Sequence, residues 1–433
     1  MKDIAPYLRR RQTLLRQMDG GIAVIPTASQ AVRSGDTHYP YRFDNYFHYL
    51  TGFTEPGAVL VLIAGDEPKS VLFCRDKNIE HEIWDGFRHG PEGARLAFGF
   101  DEAYSISRLD ELMPQLLANQ PRLYFALGCN AQWDKQITGW LNAVRGQART
   151  GVTAPGEIID VRDFLDEMRL FKSKDELATM RRAAEISAAA HRRAMRATRP
   201  GMMEYEIEAE LLHEFRKSGA QAPAYTSIVA GGANACVLHY VSNDAPLRDG
   251  DLLLIDAGCE LDGYASDITR TFPVNGRFSA VQKDIYEIVL AAQAAAIVVA
   301  RPGKCWNDQH MAALRVIARG LIDLKLCKGS VNGVLESGDY KRYYMHRTGH
   351  WLGMDVHDVG AYKQNSDWRA LRVGMTFTVE PGCYIRPAAD VPEHFWNIGI
   401  RIEDDVVVTA NGCEIITAAA PKSVGEIEQW MAQ

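Results

Sequence analysis

The stretch that decides the fold is DLLLIDAGCELDGYASDITRTFPV, at positions 251–274. Its two apolar arms flank Asp262-Gly263, a dipeptide typical of a tight hairpin turn. Asp256 interrupts the first arm and Asp267 lies on the second, so the carboxylates either face each other or are diagonal neighbours on one face. Either arrangement is unfavourable without a positive charge between them. The hairpin therefore indicates a divalent cation, although isolated Asp pairs are more often separate turn or cap residues.

A histidine-rich segment follows later in the chain. HRTGHWLGMDVHDVG, at 346–360, contains three histidines within twelve residues, interleaved with glycine. Because Thr348-Gly349 is poor helix sequence, we expect an irregular segment that leads into a strand. One such histidine alone would more often be a satisfied structural group, whereas the cluster favours a site.

Two apolar strands carry further acidic residues. TFTVEPGCYI places Glu380 at the end of a strand, immediately before Pro-Gly. IGIRIEDDVVVT predicts a central strand with Arg401 and Glu403 on one face, because side chains alternate along a strand. We expect these two residues to pair with each other or with a metal site. For each of these features alone, a structural role and a functional role are about equally expected. Together, the features favour one shared site.

The expected ligand set is hard and strongly negative, with four carboxylates and one imidazole. Structural zinc sites instead prefer thiolates and several imidazoles. The set suits two divalent ions, with Mn²⁺ preferred, Co²⁺ or Fe²⁺ as alternatives, and Mg²⁺ or Zn²⁺ less favoured. Two ions about 3.5–4 Å apart generate a hydroxide near neutral pH and stabilise an oxyanion.

Composition limits the other possibilities. The 433 residues suggest two or three domains, with 47% hydrophobic and 24% charged residues and a net charge of -7. No basic stripe indicates nucleic-acid binding, and no glycine-rich phosphate loop follows a strand. The longest apolar run, at 288–300, is too short to span a bilayer. The eight cysteines are scattered, and the start lacks the apolar core of a secretory signal, so we expect a cytoplasmic protein.

Apolar runs and turns predict the organisation. The first third should be a mixed sheet flanked by helices, with strands at 21–26, 58–65, 70–74 and 122–128, a helix at 101–117 and a linker at 146–160. Ser173 and Glu176 form a predicted capping box that opens a long helix. The remaining predicted elements are helices at about 204–217, 280–300 and 307–324, with strand-rich blocks from 224 and from 346 to 416.

These residues resemble the pita-bread metallopeptidases, which include methionine aminopeptidase, prolidase, aminopeptidase P and the non-metal creatinase. The family order of ligands is matched by Asp256, Asp267, His350, Glu380 and Glu403. RSGDTHYPYRFDNYFHYLTGFTEPGAVLVLI, at 33–63, and EIWDGFRHG, at 82–90, are similar to the N-terminal domain of the aminopeptidase P branch. The resemblance covers nearly the whole chain. It implies an α/β N-terminal domain over 1–165 and an α+β pita-bread catalytic domain over 166–433.

The resemblance also implies an activity. It indicates an Xaa-Pro aminopeptidase that cleaves the N-terminal bond of peptides with proline second, by attack of a hydroxide held between two metal ions. Prolidase, which cleaves Xaa-Pro dipeptides, is the alternative, and a non-catalytic binding module of the same fold is a third possibility. The N-terminal domain argues against methionine aminopeptidase, and the complete ligand set argues against creatinase.

Further residues receive roles from the same resemblance. His239 and His357 are expected to hydrogen-bond the substrate carbonyl or the tetrahedral intermediate, and Glu380 to transfer a proton. His346 matches a histidine of the proline pocket and Arg401 an arginine that orients the ligands, which completes the expected catalytic set. The expected substrate-binding residues are Tyr384, as a pocket wall, and Trp84, which would reach an active site across a subunit contact of a homo-oligomer, a dimer or tetramer.

Overall fold

The structure, a computed structural model, describes residues 3–433. The chain divides into two units, Met1–Asp166 and Glu167–Gln433. The boundary expected from the sequence, after residue 165, lies one residue before this division. Among residues 3–433, no helix combines the length and apolar composition needed to cross a bilayer.

The first unit is built around a mixed β-sheet. Its strands are β1 (Gly21–Pro26), β2 (Val32–Ser34), β3 (Thr37–His38), β4 (Val59–Ala64), β5 (Lys69–Cys74), β6 (Glu102–Ser105), β7 (Arg122–Tyr124) and β8 (Glu157–Ile159). Six of them form a sheet in the order β6–β5–β4–β1–β7–β8, and β2 and β3 form a small separate hairpin. Its helices are α1 (Ala5–Gln17), α2 (Asn45–Thr51), α3 (Ile79–Asp85), α4 (Gly90–Phe98), α5 (Leu109–Leu117) and α6 (Ala131–Arg145).

Two expectations for this unit were wrong. The predicted helix at 101–117 begins as strand β6, which pairs in parallel with β5, and becomes helical only at α5 after a 3-10 turn. The predicted linker at 146–160 contains β8, which pairs in parallel with β7. In both cases the edge of a sheet recruits a short segment that its local sequence does not mark as a strand.

The second unit contains the hairpin and the later strand-rich block. Its strands are β9 (Ala222–Pro223), β10 (Ile228–Gly231), β11 (Leu252–Asp256), β12 (Cys259–Leu261), β13 (Tyr264–Ala265), β14 (Thr269–Pro273), β15 (Lys363–Gln364), β16 (Asp367–Trp368), β17 (Thr376–Val379), β18 (Gly382–Ile385), β19 (Ile398–Arg401), β20 (Asp404–Thr409) and β21 (Gly412–Ile415). After α7 (Arg162–Leu170), which contains the division, its helices are α8 (Lys174–Ala197), α9 (Glu204–Lys217), α10 (Ala280–Val299), α11 (Trp306–Asp323), α12 (Val331–Ser337) and α13 (Val424–Met431).

The predicted turn of the hairpin is confirmed. Leu261 pairs with Tyr264, which leaves Asp262-Gly263 as a two-residue loop with positive φ at both positions. This is the geometry that the twist of antiparallel strands favours. β11 lies between β10 and β14, and a second three-stranded sheet has the order β17–β20–β21.

Helix ends also follow local sequence. The capping box of Ser173 and Glu176 opens α8, as predicted. Helix α9 has the predicted bounds. The long apolar run forms α10, which packs against α11 and buries one side in the core of the second unit. These elements were predictable because their signals lie within one or two helical turns of sequence.

A buried ionic cluster ties the start of the second unit to the loop after the histidine segment. Asp358 Oδ1 accepts from Arg169 Nη2 at 2.6 Å, and Asp358 Oδ2 accepts from Lys172 Nζ at 2.8 Å. The side chains of Asp358 and Lys172 are each 1% exposed. Burial alone would raise the pKa of Asp358, but Lys172 and Arg169 outweigh it and hold the pKa below its ordinary value.

We predict that Asp358→Asn destabilises the second unit by about 3–5 kcal/mol, because it removes the buried carboxylate that accepts from both Lys172 and Arg169. The control is Asp355→Asn. Asp355 is the partner of Arg169 whose side chain is 44% exposed, and its removal should cost less than about 1 kcal/mol. Urea unfolding followed by circular dichroism measures both changes, and equal changes would contradict the prediction.

The cost of Asp358→Asn should depend on pH. Since the folded-state pKa of Asp358 is lowered, its stabilisation is complete above the unfolded-state pKa of about 4 and is lost as the pH falls through the folded value. The difference between wild type and variant should therefore shrink below about pH 4.

Candidate metal centre

The five expected ligands lie in one cavity of the second unit. The cavity has a volume of about 1010 Å³ and is lined by polar, aromatic and aliphatic side chains. The five ligands are all among the residues that line it: Asp256, Asp267, His350, Glu380 and Glu403. The structure thus gathers residues that are up to 147 positions apart in the chain, from Asp256 to Glu403.

The hairpin contributes the two aspartates in the diagonal arrangement. Asp256, the last residue of β11, pairs directly with Thr269, and Asp267 lies two residues before Thr269. The backbone N–H of Asp267 donates to Asp405 Oδ2 at 3.0 Å, which fixes the chain just before β14 begins. Asp267 is almost fully buried, whereas the side chain of Asp256 retains some exposure to the cavity.

The histidine segment is irregular, as predicted, and runs alongside β17. The Thr378 N–H donates to the His350 carbonyl at 3.0 Å, and the Glu380 N–H donates to the Thr348 carbonyl at 2.8 Å. Gly349 is required between them, because a Cβ at this position would lie 2.0 Å from the Thr378 carbonyl oxygen. This close approach brings His350 Nε2 to 3.7 Å from Glu380 Oε1.

The predicted single strand through Arg401 and Glu403 was wrong. β19 ends at Arg401 and β20 begins at Asp404, so Glu403 lies in the break between them. The break arises because β19 pairs with β18 whereas β20 pairs with β17 and β21. The Glu403 N–H still donates to the Thr269 carbonyl at 3.1 Å, which holds Glu403 against the aspartate hairpin.

Arg401 binds the ligand cluster through Asp256 and not through Glu403. Arg401 Nη2 donates to Asp256 Oδ2 at 2.7 Å. Arg401 Nε donates to Thr269 Oγ1 at 3.1 Å, and the Thr269 hydroxyl donates to Glu403 Oε2 at 2.7 Å. The arginine therefore orients one ligand directly and a second ligand through a threonine, the arrangement expected around a metal centre.

His350 is prepared to act as a ligand through Nε2. Its Nδ1 lies 3.0 Å from the Trp351 carbonyl, which can only accept, so Nδ1 carries the proton. Nε2 is left with its lone pair directed at the cluster, 3.5 Å from Asp267 Oδ2. Ligand atoms of Asp267, His350 and Glu403 all lie within 4.8 Å of one another.

The charges of the cluster fit divalent cations. Burial, followed by repulsion from Glu403, raises the pKa of Glu380 to about 8. Burial and neighbouring carboxylates also raise the pKa values of Asp267 and Glu403 well above their ordinary range. The Tyr225 hydroxyl contacts both Asp256 Oδ1 and Asp267 Oδ1 but has one proton to donate. Since carboxylate repulsion exceeds what Arg401 and Tyr225 can offset, the donor set fits an oxygen-preferring divalent ion.

His346 and Tyr384 form a hydrogen-bonded pair at one wall. His346 lines the cavity, with Nδ1 3.8 Å from Glu380 Oε2. Nδ1 donates to the Arg347 carbonyl at 2.7 Å, so Nε2 accepts from the Tyr384 hydroxyl at 2.8 Å. Burial, followed by Arg401, lowers the pKa of His346 to about 3, so the ring is neutral at pH 7. Tyr384 is fully buried behind His346 and is not among the residues that line the cavity.

The remaining expected residues lie in different places. His239 and His357 line the same cavity and are exposed to it. The ring of His357 packs edge-on against that of His350, with centroids 4.3 Å apart. Trp84 belongs to the other unit, on α3, and is 85% exposed.

The sequence did not single out several residues of the cavity. Tyr225 and Thr269 contact the ligands, and Trp306, Tyr362 and Trp368 form an aromatic part of the wall. Nothing in their local patterns distinguishes these residues from ordinary strand and turn residues. The alternation along β14 could have identified Thr269, because it lies two residues after Asp267 and therefore on the same face.

A hairpin of aspartates, a strand-end glutamate and a histidine whose Nε2 is free define a metal-dependent hydrolase site with carboxylate-rich ligands. The profile of "Metallopeptidase family M24" matches residues 178–410, and that of "Aminopeptidase P, N-terminal domain" matches residues 7–124. The chain belongs to metallopeptidase family M24. The family, the fold class and the metallopeptidase class expected from the sequence are thereby confirmed.

Relatives share nearly the whole chain. An Xaa-Pro aminopeptidase of Escherichia coli (strain K12) is 47% identical over 98% of this chain and 97% of its own. The aminopeptidase PepP of Pseudomonas aeruginosa has a solved structure that is 52% identical, with a TM-score of 0.98 over 99% of this chain and 98% of its own. A solved structure of zinc-substituted aminopeptidase P of E. coli in complex with product is 46% identical. Its TM-score is 0.97, over 99% of this chain and 98% of its own.

We predict that Thr269→Val lowers metal affinity or kcat/KM about 10–100-fold, because it removes the hydroxyl that joins Arg401 to Glu403. Calorimetric titration with Mn²⁺ and peptide hydrolysis measure the two effects. The matched control is Thr271→Val on the same face of β14. The Thr271 hydroxyl donates to the Arg401 carbonyl and accepts from the Arg401 N–H, so its loss should lower stability and leave metal affinity near wild type. Equal loss of metal affinity in both variants would contradict the prediction.

Proposed function

We propose that this chain is a metal-dependent Xaa-Pro aminopeptidase, which removes the first residue of peptides that have proline second. The observation that carries the proposal is the convergence of the five ligands with His239, His346 and His357 in one cavity. Proline has no N–H and a fixed φ, so a peptidase that binds substrates as extended strands loses a hydrogen bond there. A dedicated cavity without that requirement suits such peptides.

We further propose that the centre holds two divalent ions, with Mn²⁺ preferred. Asp256, Asp267, His350, Glu380 and Glu403 would hold them, since all five line the cavity and ligand atoms of Asp267, His350 and Glu403 lie within 4.8 Å of one another. Ions bound there would supply a water of lowered pKa and stabilise negative charge on the substrate oxygen. The single imidazole among four carboxylates supports a hard ion over a thiolate-preferring one.

The side chains around the ligands receive distinct roles. Glu380 takes a proton from the attacking water and delivers it to the departing proline nitrogen, because its carboxylate lines the cavity with Oε1 3.7 Å from His350 Nε2, beside the place where the ions would be held. His239 and His357 face the cavity and donate to the substrate carbonyl oxygen or to the tetrahedral intermediate. Arg401 keeps Asp256 and Glu403 in place.

His346 has a different role in the proposal. Both of its ring nitrogens are engaged, by the Arg347 carbonyl and by the Tyr384 hydroxyl. What the ring offers the cavity is therefore its surface, and a neutral ring surface suits the apolar pyrrolidine of proline. Tyr384 supports this wall from behind and does not contact the substrate in the proposal.

We also propose that the protein acts as a cytoplasmic homo-oligomer, a dimer or tetramer, in which Trp84 contributes to the active site of another subunit. The support is that Ile83, Trp84 and Phe87 are each exposed by two thirds or more on and beside α3. Apolar side chains grouped in this way are typical of a surface that another chain covers. The free cysteines fit a reducing compartment.

We predict that Glu380→Gln lowers kcat on an Xaa-Pro-Yaa tripeptide by at least about 10³-fold, because the amide cannot carry the proton. Hydrolysis assays with Mn²⁺ measure the loss, and circular dichroism checks the fold. Glu336→Gln, at an exposed position of α12, is the control and should retain full activity. Substantial cleavage by Glu380→Gln would overturn the role of Glu380, and no cleavage by wild type would overturn the proposed function.

Metal content tests the proposed centre separately. We expect about two Mn²⁺ per chain after reconstitution and dialysis, measured by plasma mass spectrometry, because five ligands with four carboxylates exceed the needs of one ion. Glu403→Gln should lower this number, whereas Glu336→Gln should not. One ion per wild-type chain would contradict the dinuclear centre.

A further inference from the structure

The cavity contains a second charged region, of the opposite sign to the ligand cluster. Arg347, Lys363 and Trp368 line the same cavity, and we call them the cationic rim. The Arg347 Cζ atom lies 5.1 Å from the centroid of the Trp368 ring, and the Lys363 Nζ atom lies 4.7 Å from it. The side chains of Arg347 and Lys363 thus both contact the indole ring of Trp368, and cation–π attraction stabilises the two cations in these positions.

The rim is held in place by secondary structure. Lys363 lies opposite Trp368 in the β15–β16 hairpin. Arg347 Nη2 donates to Asn307 Oδ1, at the start of α11. Because a neutral amide and an indole hold these cations, their positions are fixed without their charges being cancelled.

The charges of the rim are uncompensated. Among residues 3–433, neither Arg347 nor Lys363 forms an ion pair with a carboxylate; their recorded partners are Asn307 and Trp368. Both side chains are exposed to solvent and available to a ligand. Two neighbouring cations without an acidic partner favour binding of an anion.

The position of the rim indicates which part of a peptide it meets. Arg347 follows His346 directly, and His346 Nδ1 is 3.8 Å from Glu380 Oε2. In the proposed function His346 contacts the proline, so the rim lies on the side of the departing peptide. An extended peptide advances about 3.3–3.6 Å per residue, so an Arg347 side chain reaches groups within about two residues after the proline.

We propose that the cationic rim binds a carboxylate of the departing peptide, within about two residues after the proline. This proposal rests on the Xaa-Pro aminopeptidase function. The carboxylate has two sources, the C-terminus of a short peptide or an acidic side chain of a longer one.

Peptides that differ only in the carboxylate test the proposal. The Mn²⁺-loaded full chain is assayed with Gly-Pro-Ala, with Gly-Pro-Ala amide and with Gly-Pro-Glu amide. We expect kcat/KM for the free acid to exceed that for the Ala amide about tenfold, mainly through KM, because a charge-assisted hydrogen bond is lost in the amide. If an acidic side chain also serves, the Glu amide regains most of the loss; if it does not, only the C-terminal source stands.

Variants of the rim separate its role from a general effect of charge. Arg347→Gln and Lys363→Gln should each bring the acid-to-amide ratio towards one, because kcat/KM falls more for the free acid than for the Ala amide. The matched control is Arg315→Gln, because Arg315 is also an exposed arginine that donates to an asparagine, Asn332 Oδ1. It lies outside the residues that line the cavity, so its variant should keep the wild-type ratio.

Two outcomes overturn the inference. A wild-type ratio near one, or a ratio that the Arg347→Gln/Lys363→Gln double variant leaves unchanged, shows that the rim binds no carboxylate, while cleavage of the amide still supports the proposed function. If no peptide is cleaved, the proposed function fails, and calorimetric binding of Pro-Ala against Pro-Ala amide then decides the rim. Equal affinity of the wild type for those two dipeptides overturns the inference about the rim. The inference is supported if the wild type binds the amide more weakly than the free acid and the double variant does not.

Discussion

The structure depends on the burial of four carboxylates in one cavity. At an effective dielectric of about 20, two unit charges 4 Å apart repel by about 4 kcal/mol, and Asp267 and Glu403 have ligand atoms within 4.8 Å of each other. Burial is the first cause of the raised pKa values of Glu380, Asp267 and Glu403, and repulsion from neighbouring carboxylates adds to it. Bound divalent cations would replace the repulsion between these carboxylates with attraction to the ions. The folding of this region and its metal binding are therefore linked.

The residues after Glu403 show how the fold holds this repulsive arrangement together. The sequence Glu403-Asp404-Asp405 contains three consecutive acids, each of which has different partners. Glu403 faces the cavity and accepts from Thr269. Asp404 pairs with Arg270 at 2.7 Å and with Lys422 at 2.6 Å. Asp405 Oδ2 accepts from the N–H of Asp267, so this carboxyl group positions the hairpin.

Arg270 supports the same region from behind. Its guanidinium is fully buried and donates to Asp404 and to the carbonyls of Thr269, Glu403, Ala420 and Pro421. A buried arginine that satisfies backbone carbonyls on both sides of the ligand strand fixes the ligand positions independently of any metal. The cost of burying one more charge is offset because Asp404 lies within the same set of contacts.

Local signals explain which parts of the fold and site were predictable. The Asp262-Gly263 turn, the Ser173 capping box and the Glu380 strand end follow from neighbouring residues, and the structure agrees with all three. The break before Asp404 and the strand at Glu102–Ser105 depend on which distant strands pair with them, so periodicity alone gave the wrong element. Tyr225, Arg347 and Lys363 reach the cavity through long-range packing, and no short pattern marks them.

The histidines of the cavity differ in what they can still bind, and the difference follows from hydrogen bonding. His346 has both nitrogens engaged and a pKa near 3, so it offers an apolar surface. His350 has one nitrogen engaged by a carbonyl, which leaves the other for a metal. His239 and His357 are exposed to the cavity and remain able to donate to a substrate. One residue type thus serves as wall, ligand and donor, because the backbone around each ring decides how many nitrogens remain free.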